Sequence, residues 1–209
     1  MSGLTDGAYD VRAVATDTAG NQTASSTVAV TVANTGQPIS LSIANKGDAG
    51  STAGQPEAGD TITLTFSTAL QTGSMCSAAS WASPAGDTTS HSLSDVVVRY
   101  IKGTGPGVND SVTFSSATCP TFNFGTIGLD GTGIYSNAMS FSSSTLAYSY
   151  SSATGNSVVT VTLGSSVTGN AKPSVAANHT ATWTAATGLK AKTGSALNPN
   201  NVATTAELF

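Results

Sequence analysis

Charge is the scarcest commodity in this 209-residue chain: only 9% of its residues are Asp, Glu, Lys or Arg, against about a quarter in ordinary globular domains. The seven basic residues are scattered between Arg12 and Lys192, so there is no basic stripe to follow a phosphate backbone, and nucleic acid is excluded as a partner. Long apolar runs are missing too, and none approaches the ~18 residues that a membrane span needs. Histidine occurs twice (His91, His179) and glutamate twice (Glu57, Glu207). General acid–base chemistry is therefore short of candidates, and a flanking carboxylate pair for glycoside hydrolysis is not in evidence. A Gly-x-Ser-x-Gly elbow, a His-Glu-x-x-His helix, a P-loop and a dinucleotide fingerprint are all absent from the sequence, and the reading is non-enzymatic.

What the chain has in quantity is Ser and Thr, about three residues in ten, with 22 Gly and 7 Pro as punctuation. Thr suits a pleated, half-wet surface and suits a helix poorly. The clearest segment is Gly59–Leu70, where Ile62, Leu64 and Phe66 alternate with Thr61, Thr63, Thr65 and Ser67. That is the period of a strand with one face in a core. Further strands are predicted at 39–43, 95–101, 111–115, 121–124, 147–150, 157–163 and 174–184. Trp183 and one of Tyr148 and Tyr150 are predicted in the core, while the stretch 74–94 receives no assignment. The fold class is all-β, an antiparallel β-sandwich.

The N-terminal stretch carries a resemblance. Leu4, Asp6-Gly7, Tyr9, Val11 and Ala13, followed by Thr16-Asp17-Thr18-Ala19-Gly20-Asn21, look like the last two strands of the bacterial Ig-like repeats found in tandem in large cell-surface and adhesin-type proteins. Asp-Gly-x-Tyr before a strand resembles the tyrosine corner of Ig-like sandwiches, with Tyr9 as its tyrosine. Val11 stands where antibody domains have a cysteine, so the antibody-type bridge is not implied. The loop ending in Gly59-Asp60 before Ile-x-Leu-x-Phe-Ser also resembles the opening of such a repeat. The organisation expected is then residues 1–34 as the C-terminal strands of a partial Ig-like domain, 35–38 as a linker and 39–209 as one enlarged Ig-like module. The sequence opens without a signal peptide, and we expect it to be an excerpt of a longer protein.

The resemblance implies an extracellular, cell-surface structural module, a stalk or filament unit whose partners are adjacent Ig-like domains or neighbouring copies joined by strand addition. Alternatives are an adhesin-type module presenting loops to a surface glycan, and an Ig-like protein of a phage virion. Within residues 1–34, Tyr9, Val11, Ala13, Val28, Val30 and Val32 are expected on a buried face, which something outside the hairpin must cover.

Four further readings concern sites. Cys76 and Cys119, the only cysteines, are expected to form a disulfide, since an even count in a Ser/Thr-rich, Lys-poor β chain suits an oxidising compartment; the alternative is a pair of buried thiols. No cofactor is expected, with Ca²⁺ at Asp17, Asp48 or Asp60 as the alternative: turn carboxylates suit a hard cation, yet no Asp-x-Asp-x-Asp-Gly loop groups them, and Asp in turns commonly binds its own backbone. Trp81, in a Ser/Ala-rich loop, is expected as an exposed stacking residue for a ligand, or else packed over the disulfide. His91 is expected in a solvated loop and His179 in a strand with a satisfied ring nitrogen. The Asn-x-Ser/Thr sequons at Asn21, Asn109 and Asn178 matter only where the source glycosylates them.

Overall fold

Alternation of threonine with aliphatic residues becomes ladder after ladder of antiparallel sheet. The computed structural model describes residues 7–32, 36–48, 51–82, 88–135, 137–169, 179–198 and 201–206. The chain separates into two compact units, 1–35 and 36–209.

The first unit is a hairpin in two steps. Strand β1 (Gly7–Val11) pairs with β4 (Val28–Val32), and β2 (Val14–Thr16) with β3 (Gln22–Ala24). Between the steps, residues 12–13 on one arm face 25–27 on the other, an unequal count of the kind that makes a bulge. There the Ala13 N–H donates to Ser25 Oγ at 3.0 Å and the Ser25 N–H to the Ala13 carbonyl at 2.9 Å. At the tip, the Gly20 N–H donates to the Asp17 carbonyl and Gly20 takes φ +90°, closing a three-residue hairpin loop. The face expected to be buried is open instead. Val11 and Val28 are 37% and 60% exposed, Val14 beside them is 50% exposed, and only Tyr9 and Val30 are half-buried. Two strands alone have no second layer to close over one face. The side chain of Val32 lies outside the described residues.

The second unit holds the core. It comprises β5 (Pro38–Ala44), β6 (Thr61–Phe66), a one-turn helix α1 (Thr72–Met75), a 3₁₀ turn (Ala79–Trp81), β7 (His91–Ile101), β8 (Ser111–Ser116), β9 (Thr126–Leu129), β10 (Met139–Tyr150), β11 (Ser157–Thr162), β12 (Ser166–Gly169), β13 (His179–Thr184) and β14 (Val202–Ala206). The pairing order is β14-β13-β9-β8-β7-β10-β11-β6-β5, with β12 added to β10. Eight successive antiparallel ladders leave β5 and β14 running the same way. These two end strands lie against each other, so the sheet curls back on itself in a β-sandwich or barrel-like form. Just before β5, the Gln37 N–H donates to Ser67 Oγ and the Ser67 N–H to the Gln37 carbonyl.

Inside, Ile62, Leu64 and Phe66 are fully buried while Thr61, Thr63 and Thr65 stay half-exposed. Each such aliphatic or aromatic side chain contributes roughly 1.5–3 kcal/mol on leaving water. Phe66 meets Trp183 edge to face at 5.5 Å, and the Trp183 indole N–H donates to the Phe124 carbonyl. The Tyr148 hydroxyl accepts the Leu70 N–H at 3.1 Å, so this buried phenol is satisfied.

Strand β10 serves two partners on one edge: residues 139–142 pair with β12 and 145–150 with β11. The change occurs at Ser143, which takes φ +56°, and at the buried Ser144, whose Oγ donates to the Phe141 carbonyl and accepts the Gly164 N–H. A Cβ at Gly164 would sit 2.1 Å from the Ser142 carbonyl oxygen. Only a bare α-carbon fits this crossing.

Several strand boundaries differ from expectation. The strand predicted at 121–124 is instead a loop whose single ladder contact is the bridge Cys76–Phe122, and the strand proper is β9, five residues on. Strands β7 and β10 begin earlier than predicted, and β12 and β14 were not predicted. Of the stretch 74–94, the described part supplies the end of α1, the 3₁₀ turn and the start of β7. Residues 174–178 of the last predicted strand lie outside the described residues.

Candidate functional site

Cys76 and Cys119 are bonded, with Cα atoms 5.1 Å apart, and both are buried. The bond ties the segment around α1 to the loop leading into β9, and backbone bonds continue the seam. The Ser77 N–H donates to the Thr121 carbonyl, the Asn123 N–H to the Met75 carbonyl at 2.7 Å, and the Thr121 N–H returns to Ser77 Oγ at 2.8 Å. A third segment joins them: the Gln71 N–H donates to the Lys190 carbonyl, and the Lys190 N–H to Ser74 Oγ. Asn123 Nδ2 donates to the Ser74 carbonyl.

Between these segments lies a cleft of about 380 Å³, lined by residues 71, 73, 74, 77, 121, 123, 188 and 190, with no carboxylate among the described lining residues. A Cβ at Gly188 would stand 2.6 Å from Asn123 Nδ2. Sequence reading missed this site. Its residues come from three stretches of chain distant in sequence, and the Cys76–Cys119 pair was the single signal joining two of them.

Trp81 closes the far end of the same segment, and the expectation of an exposed stacking residue is corrected. Trp81 is 1% exposed, its carbonyl accepts the Thr72 hydroxyl, and its ring packs on His91 at 5.0 Å. A large ring in a Ser/Ala-rich loop was drawn inward because burying it removes more apolar surface from water than any neighbour could. His91 is the first residue of β7 rather than a loop residue; it is half-buried between Trp81 and Tyr148, with a ring nitrogen 3.0 Å from Thr89 Oγ1. His179 opens β13, its Nδ1 3.1 Å from Asp130 Oδ1 and its Nε2 buried without a hydrogen-bond partner.

The carboxylates named for calcium are occupied by the chain itself. Asp17 Oδ1 accepts the N–H groups of Ala19 and Asn21, and Oδ2 the Asn21 amide, all at 2.9 Å. These bonds, the Asn21 side chain foremost, hold its carboxyl below the usual range. Asp60 is buried and accepts the N–H of Lys46 on one oxygen and that of Glu57 on the other. Desolvation dominates there and raises its pKa. Asp48 pairs with Lys46, and Glu57 Oε2 accepts the Thr52 N–H. Together they shape the described parts of the 45–60 loop, residues 45–48 and 51–60, beside a second cleft of about 420 Å³ that Met139 and Phe141 also line. Among the described residues, no three His, Cys, Asp or Glu side chains converge to hold a metal ion.

The same pattern recurs elsewhere. Asp110, buried, accepts the N–H groups of Gly103, Gly133 and Tyr135. Asp95 accepts from Ser116 Oγ and the Thr118 N–H, and Asp130 from the Thr180 N–H. In both Asp95 and Asp130 burial pushes the pKa up, but the hydrogen bonds outweigh it and the carboxyl falls below its ordinary value. These aspartates fasten loops and strand ends.

Tyr9 stands in β1 opposite Val30, half-buried, whereas Leu4 and Asp6 of the tyrosine-corner pattern lie outside the described residues. Comparison with protein-family models, with curated proteins and with solved structures returns no match for this chain.

Proposed function

We propose that this chain is a non-enzymatic structural segment of an extracellular protein, a stalk or filament unit of Ig-like type, in which the hairpin joins β-structure lying outside residues 1–35. One observation carries this reading: the hairpin leaves Val11, Val14 and Val28 between 37% and 60% exposed, so that burial would recover for each about half of the ~1.5 kcal/mol that a fully exposed valine gains on leaving water, and β1 and β4 pair only with each other among the described residues. Open edges and an aliphatic face invite completion by a neighbouring domain or copy through strand addition. The order β5-β6-β11-β10 supports the Ig-like assignment, since it follows the A-B-E-D sheet of that sandwich. Strands β7, β8 and β9 form a meander between that sheet and β13-β14, which accounts for a module larger than the ~100 residues of a simple Ig domain. The buried disulfide supports an oxidising compartment.

The test is to place charge on the open face. Val11→Lys with Val28→Lys should abolish concentration-dependent association in light scattering and leave the melting of the 36–209 unit unchanged. An unaltered chain that stays monomeric at every concentration, with a hairpin that does not gain protection from hydrogen exchange, would count against strand addition between copies.

A second reading, a binding module presenting loops to a surface glycan, is favoured by the disulfide-anchored cleft.

A further inference from the structure

We propose that the cleft between residues 71–77, 121–123 and 188–190 binds a carboxylated, polyhydroxylated ring, a uronic or sialic acid unit at a chain end. This rests on the binding-module reading and specifies its ligand. At about 380 Å³ the cleft lies at the lower end of the ~300–1,000 Å³ typical of small-molecule sites.

Among the described residues, the bonding pattern leaves polar groups that a ligand can use. Ser74 Oγ is engaged, donating to the Gln71 carbonyl at 2.6 Å and accepting the Lys190 N–H at 2.9 Å. The Gln71 and Lys190 backbones are spent on each other and on Ser74. The Gln71 amide, the Thr121 hydroxyl, the Asn123 Oδ1 and the Lys190 ammonium make none of the hydrogen bonds that close the cleft. A side-chain amide offers a donor and an acceptor side by side, which matches two neighbouring ring hydroxyls. The ammonium supplies the charge for a carboxylate. In a chain of net charge −4, a cleft lined by a lysine and no acidic residue selects against cations and for an anion.

The cleft is also preformed. The disulfide and the cross-bonds fix its walls, so little ordering cost falls on binding. A Cβ at Gly188 would crowd the Asn123 amide, 2.6 Å from its Nδ2.

The experiment is a titration of the full chain, followed by amide chemical shifts, with three probes: digalacturonic acid, N-acetylneuraminic acid and the neutral disaccharide lactose. Shifts confined to 71–77, 121–123 and 188–190 with one or both acids, and weaker binding of lactose, are the expected result. Lys190→Gln, whose backbone bonds persist, should weaken the acids by roughly tenfold, the scale of one charge-assisted hydrogen bond, and leave lactose unchanged. Response to one acid alone would say which source of the carboxylate fits. Equal binding of lactose and the acids, indifferent to Lys190→Gln, would overturn the carboxylate assignment while the binding-module reading stands. No shift with any probe, or shifts only elsewhere, would overturn the site itself.

Discussion

Gly164 and Gly128 pose the same substitution in opposite surroundings. A Cβ at Gly164 would meet the Ser142 oxygen at 2.1 Å and the backbone of Ser143 and Ser144 at 2.5 Å, whereas at Gly128 the nearest atom is 4.0 Å away. We expect Gly164→Ala to cost at least about 2 kcal/mol, because the obstacle is backbone and cannot rotate aside. Gly128→Ala should stay within about 0.5 kcal/mol. Urea midpoints of the two variants decide the matter. The aspartates make a second prediction at this scale. Asp95 and Asp130 have folded pKa values below the ordinary 3.8, the opposing effect of burial notwithstanding. Their contribution is present above the unfolded pKa and is lost as the pH falls below about 4. Asp60 is shifted upward by burial, so its ionisation works against folding as the pH rises past 4. Denaturation between pH 5 and pH 2 should therefore show a net acid loss that Asp130→Asn flattens and Asp60→Asn steepens. Identical slopes for all three proteins would contradict these assignments.

At the level of elements, the disulfide closes a sequence separation of 43 residues, which in the chain-entropy model corresponds to about 4 kcal/mol. Denaturation with and without reductant measures it, and Cys76→Ser/Cys119→Ser should lie near the reduced protein. Since the bond anchors the polar cleft, its loss should also broaden the amide signals of residues 71–77 and 121–123. The strands that could be read from sequence were those with strict alternation and a wet threonine face. Strand β6 agrees to within the ends of the alternating run, and β8 and β11 to a residue. Legibility failed where pairing alone makes the strand. The first half of β10 has only Met139 and Phe141 as apolar residues among four serines, and β12 is a four-residue, fully exposed strand. Conversely, Phe122 and Phe124 alternate like a strand but are diverted by the bridge to Cys76. Trp81 was misplaced because no periodic pattern around it shows that the chain folds back to bring Thr72 and His91 onto it. Of the cleft, only the cysteine pair was visible beforehand.

On the scale of the whole molecule, the described part of residues 36–209 has a core of its own, with Ile39, Ile101, Val108 and Val167 left exposed around it. The hairpin has no such core, and that contrast is the basis of the proposed role as a unit completed from outside. Sedimentation velocity of the full chain against a version beginning at Gly36 tests it most directly. We expect the full chain to form concentration-dependent oligomers through a head-to-tail, non-closing contact, and the shortened chain to remain a monomer with unchanged thermal stability. Two monodisperse monomers of equal stability would contradict strand addition and leave the hairpin without a partner among copies of this chain.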